Sequence, residues 1–106
     1  MLLCIDVGNS NLTFGLYKNM DLMYTFRMET KEVKSMNQLQ EQFSIVSNHY
    51  GFILNDIEYV VIDSVVPRID EVLQKYFERN NIPFKFIDYN SQIGIDIKID
   101  NPSELD

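Results

Sequence analysis

The most informative segment of the chain is its first, Met1-Leu2-Leu3-Cys4-Ile5-Asp6-Val7-Gly8-Asn9-Ser10-Asn11. Its apolar run predicts a short buried strand, and the Gly-Asn-Ser-Asn cluster after it predicts a tight loop. Apolar side chains then alternate with small or polar ones through residues 12–17 and again through residues 22–28, on either side of a turn at residues 18–21. Such alternation is typical of strands with one buried face. We therefore predict three consecutive antiparallel strands, a meander, at the start of the chain.

The middle of the chain changes to a helical period. Ser35 and Gln38 have the spacing of a capping box, and apolar residues recur at helical spacing from Met36 until Gly51 ends the run. The β-branched run at residues 59–63 is typical of a central strand covered on both faces. A helix and then a buried strand are therefore expected after the meander.

The last part of the chain repeats this sequence of helix and strand. Pro67 predicts the first turn of a second helix, which the Asn80-Asn81 pair ends. Residues 84–87 predict another strand, and the alternating isoleucines of residues 93–99 predict an edge strand. The resulting order, β-β-β-α-β-α-β, is that of a ribonuclease-H-like α/β domain, with a mixed sheet and helices on its faces.

Composition excludes several classes of protein. The chain has 106 residues, 45% of them hydrophobic and 24% charged, which describes one folded domain rather than a disordered chain. No apolar run is long enough for a membrane span, and no secretion signal precedes the first strand, so a cytoplasmic protein without membrane contact is expected. The single cysteine fits a reducing compartment. A net charge of −7 disfavours a partner in nucleic acid, whose binders present clustered Lys and Arg.

The first candidate for chemistry is the junction between the first two strands. Asp6 ends a buried strand, and the Gly, amide and hydroxyl groups of residues 8–11 follow it. A carboxylate beside such a loop can hold a phosphate group together with its Mg²⁺, because glycine lets backbone N–H groups approach the ligand. The alternative is an ordinary β-turn, for which the same residue types are usual.

Four stretches of the chain resemble, in the same order, the motifs of type III pantothenate kinases. The family's versions are D-V-G-N-T-N, R-L-x-T, V-I-S-S-V-V-P and G-L-P-I-x-Y-D-N-P. Here they read Asp6-Val7-Gly8-Asn9-Ser10-Asn11, Arg27-Met28-Glu29-Thr30, Val61-Ile62-Asp63-Ser64-Val65-Val66-Pro67 and Gly94-Ile95-Asp96-Ile97-Lys98-Ile99-Asp100-Asn101-Pro102. The first motif alone would indicate only the superfamily of acetate and sugar kinases, heat-shock ATPases and actin. The four together span essentially the whole chain.

The resemblance implies ATP-dependent phosphorylation of pantothenate, the first step of coenzyme A synthesis, by a cytoplasmic homodimer. It also implies Mg²⁺ and a monovalent cation, K⁺ or NH₄⁺, as cofactors. Asp6 would face the metal, directly or through a water molecule. Ser10 stands where the family has Thr and keeps the hydroxyl group. The residues to which the phosphate-binding role transfers are Asp6, Val7, Gly8, Asn9, Ser10, Asn11, Leu12 and Thr13.

Departures from the family pattern concern the acceptor side of the reaction. Ile99 replaces a substrate-binding Tyr, and Asp106 stands where the family has Gly. The family's catalytic base and its substrate-binding Arg would follow Asp106, so no catalytic residue is expected in this chain. We expect residues 1–106 to be a truncated first domain whose partner domain is absent, and the fragment alone to be inactive. The alternative is a non-catalytic paralogue that binds nucleotide or serves regulation.

Asp63 supports a rival hypothesis. The family usually has Ser there, and an acid at the end of the fourth strand beside Asp6 resembles the paired carboxylates of two-metal nucleases. Glu41, on the intervening helix, is a candidate third carboxylate. The acidic charge of the chain opposes a nuclease. A third interpretation is purely structural, with Asp63 capping the turn around Pro67.

Overall fold

The computed structural model describes residues 1–87, which form five strands and two helices. Short 3₁₀ turns at Thr30–Glu32 and Leu54–Asp56 lie between them. The element order agrees with the order that the sequence predicts; the predicted edge strand at residues 93–99 lies outside the part of the chain described. In chain order the elements are β1 (Leu2–Val7), β2 (Asn11–Lys18), β3 (Asp21–Glu29), α1 (Met36–Tyr50), β4 (Tyr59–Ser64), α2 (Pro67–Arg79) and β5 (Phe84–Ile87).

The strands form one mixed sheet in the order β3-β2-β1-β4-β5. The pairs β1–β2 and β2–β3 are antiparallel, whereas β1–β4 and β4–β5 are parallel. The predicted fold class, an α/β domain with a mixed sheet, is therefore confirmed. Because β1, β4 and β5 run in the same direction, their carboxyl ends meet at one edge of the sheet, which is where ligands bind in many α/β proteins.

Both helices pack on the same face of this sheet. The Phe43 ring of α1 lies 5.5 Å from Phe14 of β2 and 5.6 Å from Tyr76 of α2, measured between ring centroids. The Phe77 ring of α2 lies 6.4 Å from Phe84 of β5. Interdigitated aromatic rings of this kind bury much apolar surface and fix the two helices against the sheet.

The opposite face of the sheet is only partly covered by residues 1–87. In β4, Val60 and Ile62 are fully buried against the helices, but Val61 and Asp63 are half-buried. The sequence predicts that β4 is a central strand covered on both faces. In the described part of the chain helices cover only one face, and the residues of β1, β2 and β4 are therefore buried in strict alternation.

The turn and helix ends predicted from local sequence are largely confirmed. Gly51 ends α1 in the left-handed conformation, with φ 82°, and Asn19 and Met20 form the β2–β3 turn with φ 52° and 72°. The Ser35 hydroxyl accepts from the Gln38 N–H at 3.3 Å, as a capping box requires. The return bond differs, since the Gln38 side chain accepts from the N–H of Lys34, at 2.8 Å, and not from that of Ser35.

Candidate functional site

A polar cleft of about 530 Å³ lies at the carboxyl end of β1. It contains six of the eight residues that the sequence singles out for phosphate binding. The seventh lining residue, Arg27, comes from β3 and is not among them. The lining residues are Asp6, Gly8, Asn9, Ser10, Asn11, Thr13 and Arg27.

Three of these residues form a row across neighbouring strands. Asp6 of β1 is the register partner of Thr13 of β2, which is in turn the partner of Arg27 of β3. Direct register partners point to the same face of a sheet, and neighbouring strands lie about 4.8 Å apart. The cleft therefore presents a carboxylate, a hydroxyl and a guanidinium side by side on the face opposite the helices.

Val7 and Leu12, the remaining two of the eight predicted residues, point the other way. Their side chains are 1% and 0% exposed, and they belong to the hydrophobic core beneath the helices. The period of two along a strand dictates this, because each follows or precedes a residue that faces the cleft. Neither residue lines the cleft, and both are paired with neighbouring strands of the sheet.

The loop of residues 8–11 offers backbone donors. The Gly8 N–H donates to the Asn11 carbonyl at 2.8 Å and closes the loop. Within residues 1–87, the N–H groups of Asn9 and Ser10 donate to no other group. Gly8 is outside the left-handed region of backbone space, so a left-handed turn is not what favours glycine here. The loop suits an anion, because N–H groups that have no partner among residues 1–87 provide fixed partial positive charge.

Arg27 is the cleft residue to which the sequence assigns no role. Its side chain is exposed and, among residues 1–87, makes neither a hydrogen bond nor an ion pair. The alternation of side chains along β3 could have predicted this position. Phe26 and Met28 face the core, so Arg27 between them must face the other side. A guanidinium with no partner among residues 1–87, beside a loop with N–H donors, can bind phosphate oxygens through two parallel hydrogen bonds.

The carboxylates of the nuclease hypothesis are only partly brought together. Asp63 is the register partner of Asp6, so these two are neighbours. Glu41 is exposed on α1, which packs against the opposite face, so its proposed place beside them is wrong. Residues 1–87 contain no group of three or more His, Cys, Asp or Glu placed to hold a metal ion. The hydroxyl of Ser64 accepts from the Val66 N–H at 3.1 Å and supplies the side-chain bond in the turn before Pro67.

Two other features of the described residues offer little chemistry. A hollow of about 130 Å³ beside α1 is lined by Phe, Ser and aliphatic side chains, with Gln40 and Tyr76, and contains no carboxylate or amine. Cys4 is half-buried on the open face of the sheet, and burial raises the pKa of its thiol, which opposes a role as a nucleophile. No helix within residues 1–87 is long and apolar enough to cross a membrane.

Comparison with known proteins decides the family. The family model described as type III pantothenate kinase matches residues 2–105, which is nearly the whole chain. The chain belongs to the type III pantothenate kinase family. A curated type III pantothenate kinase from Solibacter usitatus (strain Ellin6076) is 32% identical over 109 residues, covering 99% of this chain. The match covers 41% of that relative, so the chain spans about two fifths of its length. The resemblance seen in the four sequence motifs is thereby confirmed.

The predicted substrate-side position and the last motif fall outside the described residues. Ile99 and Asp106 both lie beyond residue 87. The site that residues 1–87 form is thus the one around Asp6 and the loop of residues 8–11.

Proposed function

We propose that this chain supplies the phosphate-binding half of an ATP-dependent kinase that converts pantothenate to 4'-phosphopantothenate, the first step of coenzyme A biosynthesis. The family membership supports the reaction. The observation that carries the proposal is the cleft in which the Asp6 carboxylate, the loop of residues 8–11 and the Arg27 guanidinium meet.

The cleft is suited to the phosphates of ATP despite the chain's net charge of −7. Backbone N–H groups and one guanidinium provide local positive potential where the anion would lie, and local geometry outweighs a net charge that solvent screens. Phosphoryl transfer requires little covalent participation from the protein; it requires positioning of the phosphates and neutralisation of their charge. The loop and Arg27 perform both tasks.

Asp6 fits the role of a Mg²⁺ ligand, directly or through water. Mg²⁺ in kinases is held by one or two carboxylates together with phosphate oxygens, so a site with one carboxylate on the cleft wall matches that chemistry. When bound, Mg²⁺ would neutralise phosphate charge in the transition state. The monovalent cation, K⁺ or NH₄⁺, is proposed from the family resemblance alone.

The acceptor chemistry is proposed to lie beyond the described residues. By family resemblance, the base for the pantothenate hydroxyl and an Arg for the substrate follow the last motif, and a second domain of the same fold completes the cleft. The full protein is proposed to be a cytoplasmic homodimer. A non-catalytic, nucleotide-binding paralogue is the alternative, because Ile99 and Asp106 replace the family's Tyr and Gly.

The test uses the full protein with pantothenate, ATP and Mg²⁺, and measures ADP release together with the mass of the phosphorylated product. We expect turnover that Asp6→Asn abolishes. Asp21→Asn is a matched control, since Asp21 is an exposed acid at the start of β3, at the end of the sheet away from the cleft.

Three outcomes separate the hypotheses. ATP binding without turnover would support the paralogue, and neither binding nor turnover would overturn the kinase proposal. Full activity of Asp6→Asn would remove Asp6 from the site while leaving the reaction in place.

A further inference from the structure

Thr30 is a buried polar residue that the proposed function has not used. It follows β3 directly and is 4% exposed. Its N–H donates to the Ser10 carbonyl at 2.9 Å, and its hydroxyl donates to the Gly8 carbonyl at 2.8 Å. One residue thus occupies two of the carbonyls of the loop of residues 8–11.

Arg68, in the first turn of α2, completes the connection. Its Nη2 donates to the Thr30 carbonyl at 2.8 Å, and its Nη1 donates to the Val33 carbonyl at 2.7 Å. The guanidinium therefore fixes both ends of the turn that follows β3. Hydrogen bonds from a charged donor are stronger than neutral ones, and two on one planar group also fix its orientation.

The direction of these bonds matters for the loop. No peptide in the described residues is cis, and a trans peptide carries its C=O and N–H on opposite sides. When Thr30 holds the Gly8 and Ser10 carbonyls, the N–H groups of Asn9 and Asn11 in the same peptide planes must point away from Thr30. Asn9 and Asn11 line the cleft and Thr30 does not.

We infer that Thr30 and Arg68 are positioning residues that hold the loop with its N–H groups directed into the cleft. This inference rests on the proposed function, because it concerns the affinity of the same site for nucleotide phosphates. The two residues act through the loop backbone and touch no substrate. They also link the loop to the start of α2, which follows the carboxyl end of β4.

The test is nucleotide binding by the full protein, measured by titration calorimetry with Mg²⁺ and a non-hydrolysable ATP analogue. Thr30→Val keeps the shape of the side chain and removes the hydroxyl, and we expect the Kd for the analogue to rise about tenfold. Thr30→Ser restores the hydroxyl and is expected to remain within about twofold of the wild type, because the hydrogen bond to Gly8 is retained.

Arg68→Met is the second variant and tests the same inference if Thr30→Val fails to fold. Arg68 is exposed, so its replacement leaves no cavity. We expect its Kd to rise about fivefold, since the two bonds to carbonyls are lost. Lys31→Met is the matched control: it removes a nearby exposed positive charge that makes no hydrogen bond within residues 1–87, and its Kd should be unchanged.

A readout independent of stability separates positioning from simple structural support. Binding is measured at least about 15 °C below each variant's own Tm, so that unfolding does not affect it. Lowered Tm values with wild-type Kd values for Thr30→Val and Arg68→Met would overturn the inference and leave the proposed function intact. A wild-type protein that binds no nucleotide would overturn both.

Discussion

Asp6 and Asp63 are register partners at the carboxyl ends of two neighbouring parallel strands, β1 and β4. The row continues through Thr13 to Arg27, so one line across four strands carries two acids, a hydroxyl and a guanidinium. The two acids differ in position, however, because Asp6 lines the cleft and Asp63 does not. A two-metal nuclease would need both acids, whereas the proposed kinase needs Asp6 and assigns no role to Asp63.

We predict that the two acids are unequal. Asp6→Asn should lower kcat/KM for ATP by at least about a hundredfold, because the carboxylate proposed to hold the charge-neutralising Mg²⁺ is lost. Asp63→Asn should lower it by less than about tenfold, since the side chain lies outside the cleft lining. Steady-state kinetics of both variants, at saturating pantothenate, provides the comparison.

The nuclease hypothesis is checked on the same preparations with Mg²⁺ or Mn²⁺ and single- and double-stranded DNA and RNA. Metal-dependent cleavage that both substitutions abolish would contradict the kinase proposal. We expect no cleavage, because the third predicted carboxylate, Glu41, lies on the opposite side of the sheet.

Arg27 should contribute to the binding of ATP more than to the binding of pantothenate. Arg27→Met removes a charged donor from the cleft, and a charge-assisted hydrogen bond of about 1.5–3 kcal/mol corresponds to an increase of about tenfold to a hundredfold in KM for ATP. Arg27→Lys should recover part of this, since the charge remains but the two parallel donors do not.

Arg79→Met is the control for Arg27, because it removes the same charge from the exposed end of α2. Its KM for ATP should match the wild type. An equal rise in KM for both arginine variants would indicate a general effect of net charge rather than a contact in the cleft.

Met20 is a site for stabilisation. It has φ 72° in the β2–β3 turn and is 92% exposed, so its side chain gains little from packing while its backbone is in a region that favours glycine. Met20→Gly creates the Asn-Gly pair typical of this turn and should raise the free energy of unfolding by about 0.5–1 kcal/mol.

Urea unfolding measures this difference. Lys18→Gly is a useful comparison, since Lys18 is in β2 and has an ordinary strand backbone. Glycine should destabilise the protein there by about 0.5–1 kcal/mol. Destabilisation by Met20→Gly would contradict the account of the turn.

Tyr76 should make stability depend on alkaline pH. Burial raises its pKa to about 12, and its hydroxyl donates to the Gln40 side chain at 2.7 Å. The pKa in the unfolded chain is about 10, so folding favours the protonated form. The contribution of Tyr76 to the free energy of unfolding is therefore complete below about pH 10 and is lost as the pH rises from about 10 to about 12.

Tyr76→Phe removes this titration and keeps the ring that stacks on Phe43. Between pH 9 and 11.5, the stability of the variant should fall less steeply than that of the wild type when both are unfolded in urea. Parallel pH profiles would show that Tyr76 contributes no such linkage; the other tyrosines provide a background common to both proteins.

The local elements and the loop of the candidate site could be predicted from the sequence alone. Period-two alternation, the Ser35 cap and the Gly51 stop each depend on residues close together in the chain, so β-β-β-α-β-α-β was predictable. Asp6 and Gly8 were identifiable for the same reason, since the strand, the carboxylate and the loop are contiguous in sequence.

The residues that approach the candidate site from distant parts of the chain could be identified only from the three-dimensional structure. Strand register placed Asp63 and Arg27 in one row with Asp6, whereas the packing of α1 placed Glu41 on the other face. Thr30 and Arg68 approach the loop only because β3 pairs with β2 and α2 packs beside the turn that follows β3. Local sequence contains no such information, because register and helix placement are set by long-range burial of the whole core.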